Sequence, residues 1–166
     1  MDASSLLSGR SRETRIRRDA KGRWFDGDDA ITHAGLVQAL DGYIDLAEDG
    51  RFCLRNDINW AYVTIEGPPY FVRSVTLEGD AVRLHLSGGR SELLDARSLA
   101  QDEVGALCCR VRDGRLEARF DNHAAAGLAP LLDEDELGVY VSLAGRRVRP
   151  PVLRRADDAS PLGDTA

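Results

Sequence analysis

One stretch concentrates the residue types that could do chemistry. In LCCRVRDGRLEARFDN, residues 107–122, two adjacent cysteines stand beside four arginines. Asp113-Gly114 between alternating apolar and polar residues is the strongest local signal for a two-residue hairpin. That turn fixes the register: Val111 faces Leu116, Arg110 faces Glu117, Cys109 faces Ala118, Cys108 faces Arg119. Side chains alternate along a strand, so Leu107, Cys109, Val111, Leu116, Ala118 and Phe120 make one apolar face. The other face carries Cys108, Arg110, Arg112, Arg115, Glu117 and Arg119.

This arrangement separates the cysteines. Cys109 belongs to the core and Cys108 to the polar face, so neither a shared metal nor an ordinary disulfide suits them. Cations stabilise a thiolate, which makes Cys108 opposite Arg119 a candidate reactive thiol, and a thiol-based enzyme or redox sensor one reading. The arginines suggest another. Arg110 and Glu117 form a natural cross-strand ion pair. Arg112, Arg115 and Arg119 can hold an anion through planar, multi-donor guanidinium groups. Arg83 and His85 are possible additional contacts. The plainer alternative is a solvated strand face that balances nearby carboxylates.

Motifs for other chemistries are missing. His33, His85 and His123 stand apart, with no partner at metal-ligand spacing. Asp26–Asp29 lacks the alternating acids of a calcium loop. Ser87–Arg90 is too short for a phosphate loop. No G-x-S-x-G elbow occurs, and Asp133–Glu136 reads as a solvated helix end. The expectation is no catalytic residue, no metal and no cofactor.

The elements that must position the hairpin can be read in order. Thr14–Phe25 reads as a hairpin turning at Asp19–Gly22. Thr32 is the expected cap of a helix near 32–46, with Leu36, Val37, Leu40, Tyr43 and Ile44 on one stripe. Gly35 and Gly42 each weaken that helix by about 1 kcal/mol against Ala, and they allow a close approach by a strand. Strands follow at 51–54, 60–66, 69–78 and 81–87, separated by turn chemistry. A second helix is expected near 122–132, capped by Asp121 or Asn122, before a last strand at 137–143.

The fold class is therefore α+β, mainly antiparallel β. It divides into two small, similar strand-rich subdomains with one short helix each, at 14–75 and 76–149. Residues 1–13 form a disordered basic tail and 150–166 a polar tail.

The chain has 166 residues and a net charge of -6. Arginines cluster near both ends, at 10–23 and 146–155, which allows a nucleic-acid reading. An acidic body opposes a polyanion beyond such patches, so nucleic acid is the disfavoured partner. No apolar run approaches a membrane span, and no secretory leader is visible. Together with reduced cysteines, this points to the cytoplasm.

Five segments also carry a resemblance: GRWFDGDDAI (22–31), Leu36–Val37, DGRFCL (49–54), VTIEGPPYFV (63–72) and RVRDGRLEARF (110–120). In this order they resemble the bacterial domain-of-unknown-function family numbered 1285, over roughly residues 15–143. Departures occur at Asn56–Asn59, where members carry a Thr-Pro segment, and at Ala124–Ala126, where they carry an aromatic pair. The resemblance implies two strand-rich, pleckstrin-homology-like domains and a signalling or ligand-sensing role, with no catalytic residue. Residues and resemblance together lead to a non-catalytic cytoplasmic module binding a small anionic ligand or a protein partner.

Overall fold

The computed structural model describes residues 12–152; the expectations for residues 1–11 and 153–166 lie outside them. The opening hairpin is β1 (Ile16–Arg18) and β2 (Trp24–Asp26), followed by β3 (Asp29–Ile31). Helix α1 spans Ala34–Tyr43. Next come β4 (Ile44–Leu46), β5 (Phe52–Arg55), β6 (Trp60–Tyr62), β7 (Thr64–Ile65), β8 (Tyr70–Glu78) and β9 (Ala81–Leu86). The second half holds β10 (Ser91–Leu93), β11 (Ala100–Gln101), β12 (Leu107–Val111), β13 (Leu116–Phe120), α2 (Asn122–Gly127), β14 (Leu132–Asp135), β15 (Gly138–Leu143) and β16 (Arg146–Val148). This is a strand-rich α+β fold.

Most ladders join sequence neighbours in antiparallel fashion, as short connections require. Two parallel ladders do not. β1 runs beside β7, and β13 beside β8 with Ala118 opposite Tyr70. The second of these closes the main sheet, in the order β10-β9-β8-β13-β12-β11. β8 runs from Tyr70 to Glu78, and the buried core draws members from both halves of the chain.

Helix α1 starts where expected but ends early. His33, not Thr32, caps it, its Nδ1 accepting from Leu36 N at 3.2 Å. Residues 44–46, expected to be helical, extend as β4 and pair with β5. A strand partner supplies hydrogen bonds there, and β-branched Ile44 suits a pleated ladder. The strand expected over 60–66 splits between two sheets as β6 and β7. The 122–132 helix is α2 followed by a single 3-10 turn, Ala129–Leu131, and Asp121 caps it. Asp133–Asp135, expected at a helix end, pairs with β15 instead.

The core gathers Leu40, Ile44, Leu54, Tyr70, Val72, Val82, Leu84, Val111, Ala118, Leu128 and Val141, all wholly buried. Each large apolar side chain contributes about 1.5–3 kcal/mol by leaving water. The apolar hairpin face faces this core: Cys109, Val111, Leu116, Ala118 and Phe120 are buried.

Candidate functional site

The β12–β13 hairpin has the register read from its turn, from Cys108 opposite Arg119 to Val111 opposite Leu116. Asp113 and Gly114 have φ of 59° and 77°, the positive values that a type I′ turn needs. Arg112 also has a positive φ, 53°, and this changes the site. It takes Arg112 out of the strand's alternation, and its side chain reaches Ile44 and Tyr70.

Arg112 serves the end of helix α1. The helix ends in unpaired carbonyls and carries no basic residue in its last turn. Donors come from the sheet instead. Arg112 Nη1 donates to Ile44 O at 3.2 Å and to the Tyr70 hydroxyl at 2.9 Å. Tyr70 donates to Ile44 O at 2.7 Å, and Arg90 Nε to Gly42 O at 2.7 Å. Cations at a helix C-terminus also oppose its negative dipole end. Arg112 is only 17% exposed, so its first task is to dock the helix.

Asp45 binds the arginines to this junction. Arg115 Nη1 donates to Asp45 Oδ1 at 2.7 Å, and Arg112 and Arg55 lie 3.7 and 3.6 Å from Oδ2. Leu46 N donates to Oδ1 at 2.8 Å. Burial acts to raise this carboxyl, but the Leu46 amide, Arg115 and Arg112 outweigh it and hold it below its ordinary value. A lowered folded-state pKa adds stability above the unfolded value, near 4, and that stability is lost as pH falls through the folded value. Asp45→Asn should therefore lower stability at pH 7 by about 1.5–3 kcal/mol and flatten the acid limb of the stability profile. Solvent screening keeps the figure at this modest size, since Arg55 and Arg115 are partly exposed. Urea midpoints from pH 7 to pH 2 test it; an acid limb unchanged in Asp45→Asn would refute this role.

The remaining arginines line a groove of about 610 Å³ over the polar hairpin face. Its floor is apolar: Leu46, Phe52, Pro68, Pro69 and Leu116. Its rim mixes signs, with Arg110, Arg115 and Arg119 set against Asp102, Glu103 and Glu117. Arg119 Nη2 lies 3.1 Å from Asp102 Oδ2. Arg110 faces Glu117, but its guanidinium turns to the Gly114 and Arg115 carbonyls at 3.2 and 3.4 Å. The expected Arg110–Glu117 ion pair does not form, because the turn's carbonyls capture the donor. Arg112 lines a separate polar hollow of about 500 Å³ with Arg90, Glu92 and Asp95. Arg83 and His85 lie on β9, which β8 separates from the hairpin. Arg83 pairs with Glu78 at 2.7 Å, and His85 Nε2 bonds Thr76 Oγ1 at 2.8 Å.

Burial disfavours a thiolate at Cys108. The residue is 2% exposed, because β11 pairs onto β12 with Ala100 opposite it. Burial, then the charges of Glu117 and Asp102, outweigh Arg119 and Arg110 and push the thiol up to about 11. Core-facing Cys109 is pushed by burial to about 12. Cys53 is buried too, and burial also raises its thiol. All three thiols should stay silent to maleimide at pH 8 in the native chain and label together in urea. Rapid native labelling at Cys108 would restore the thiol reading.

Sequence reasoning missed Asp45, Phe52 and the Pro68–Pro69 wall. Asp45 gave one faint signal, a lone acid inside the apolar run Tyr43–Leu46. Among the described residues no three His, Cys, Asp or Glu gather to hold a metal ion. No helix among them is long and apolar enough to cross a membrane.

No protein-family model matches the chain, and no curated protein matches it. Solved structures do. A DUF1285 family protein from Silicibacter pomeroyi DSS-3 superposes with a TM-score of 0.63 at 17% identity, covering 88% of this chain and 91% of that one. A DUF1285 family protein from Shewanella baltica OS155 gives 0.56 at 11% identity, covering 72% of this chain and 94% of that one. At such identities the shared property is the fold, and this chain has the fold of these DUF1285 family proteins.

Proposed function

We propose that the chain is a non-catalytic binding module whose groove takes a polypeptide segment of a partner protein. The observation that carries this reading is the groove's composition, an apolar floor under a rim with equal numbers of arginines and carboxylates. Peptide segments present both kinds of surface at once. A small anion fits less well, because Asp45 already holds Arg115 and Arg112, and Asp102 holds Arg119. An incoming phosphate or carboxylate would compete with fixed carboxylates and meet others along the rim.

Panning a random-peptide library on the full chain tests this. Enriched peptides should lose binding in Val104→Asp, an 85% exposed rim position that tolerates a charge without harm to the fold. They should keep binding in Leu137→Ser, an exposed position outside the groove. Clones indifferent to Val104→Asp would overturn the proposal. So would a thermal shift with nucleotides or inositol phosphates that Arg110→Ala plus Arg119→Ala abolishes, which would return the site to a small anion.

A further inference from the structure

We propose that the groove selects a partner segment carrying a lysine or arginine, with Glu117 as its counter-ion; this rests on the reading of the groove as a polypeptide site. The charges that line the groove are not equally available. Arg115 is held by Asp45 and Arg119 by Asp102. Glu103 is engaged as well. Arg110 gives its Nε and Nη2 to the Gly114 and Arg115 carbonyls. Glu117 is left. Of the charged side chains lining the groove, it is the one with neither a hydrogen bond nor an ion pair among the described residues.

The hairpin explains why. Glu117 stands opposite Arg110 in the register, where a strand pair would ordinarily join the two. The turn's carbonyls draw the Arg110 guanidinium away, and no other cation of the groove takes its place. Glu117 is half-buried on an inner strand, β13, laddered to β8 on one side and β12 on the other. An unpaired carboxylate thus stands on the most rigid part of the site.

The apolar lining says what accompanies the cation. Across the sheet the strand order is β8, β13, β12, β11. Pro68 and Pro69 precede β8, and Val104 follows β11. All three line the groove, and Glu117 on β13 lies between them. From β8 to β11 is three strand spacings, about 14 Å at ~4.8 Å each. An extended segment laid across the strands covers this in about four residues at ~3.3 Å per residue. A basic residue over Glu117 then has an apolar neighbour on either side, one against the proline wall and one against Val104. The stem of a long basic side chain buries along apolar surface while its head stays polar, which suits Leu46 and Phe52 beside a carboxylate. An acidic residue in the same place meets Glu117 with no cation to spare, the repulsive half of the selection.

Three peptide pools test this on the full chain. They share leucine two positions to either side of a centre fixed as lysine, glutamine or glutamate. The lysine pool should bind about tenfold more tightly than the glutamine pool, the worth of one charge-assisted hydrogen bond, and the glutamate pool least. Glu117→Gln should bring the lysine pool down to the glutamine pool and leave the latter's affinity unchanged. Glu117→Lys should put the glutamate pool first. Glu117 has no partner to lose, so Glu117→Gln should keep the native urea midpoint; a lower midpoint would make the carboxylate a structural group and overturn the inference. So would a lysine preference that survives Glu117→Gln, or pools that bind the native chain alike or not at all. Pools that bind alike but still need Val104 leave the groove reading standing; pools indifferent to Val104→Asp take it down as well.

Discussion

Gly88→Ala should be among the most damaging single substitutions in the protein, costing about 4 kcal/mol or more, a magnitude that marks a structural collision. Gly88 follows β9 and touches helix α1 backbone to backbone. A Cβ there would overlap Gly42 N and Cα and stand 2.7 Å from the Asp41 carbonyl carbon. A Cβ on Gly42 would stand 2.8 Å from Gly88 O. Gly88 also has φ of +79°, which costs a side chain about 1–2 kcal/mol by itself. The rest comes from pushing α1 off the sheet, away from Arg90, Tyr70 and Arg112, which pair its last carbonyls. Gly79→Ala separates the two terms. Its φ is +58° with nothing within 4 Å, so it should cost only the conformational 1–2 kcal/mol. Urea unfolding of both variants tests this; similar losses would show that the close approach contributes nothing.

That contact shows which parts of the molecule its sequence displays. Gly42 is legible as a weak point in a helix that permits close approach; its partner is not, because Gly88 is distant in sequence. The hairpin register was legible because a two-residue turn decides it locally. The Asp121 cap was legible for the same reason. The site's character was not. Arg112 leaves the ridge through one positive φ, and no pattern of residue types announces that. Asp45 collects its arginines from β5 and from the hairpin turn, and no local spacing links them. For Cys108 the sequence displays the cross-strand neighbour Arg119 and not the edge strand β11 beside it. The β8–β13 ladder, which sets the Pro68–Pro69 wall beside the hairpin, joins residues far apart in sequence. Local chemistry set the elements, and long-range pairing decided which charges were already spoken for.

Arg18→Met should destabilise the protein by about 3–5 kcal/mol, the usual result of breaking a buried, hydrogen-bonded charge pair. By sequence Arg18 is one of a run of basic residues near the amino terminus, yet it is wholly buried. Its Nη1 donates to Pro69 O at 3.0 Å and lies 3.5 Å from Asp41 Oδ1, and its Nη2 donates to Pro68 O. Burial lowers its pKa from the usual value and Asp41 opposes the shift; a guanidinium stays charged throughout. Asp41 Oδ1 also accepts from Trp24 Nε1 at 2.8 Å. One cation thus ties β1 to helix α1 and to the proline wall of the groove. Prolines have no N–H, so that wall offers carbonyls and needs a donor from outside. Methionine fills the space but leaves Asp41 without its cation and two carbonyls without donors. Adding Asp41→Asn should recover part of the loss by removing the buried charge, and a double-mutant cycle measures that coupling. Arg18→Lys should recover little, since one ammonium cannot reproduce a planar fork. Arg17→Ala, on the same strand but only half-buried over Phe25, should cost about 1 kcal/mol or less. An Arg18→Met variant as stable as Arg17→Ala would refute the assignment. At a temperature where Arg18→Lys remains folded, its affinity for groove-binding peptides should also fall, because the Pro68–Pro69 wall loses the group that holds it in place.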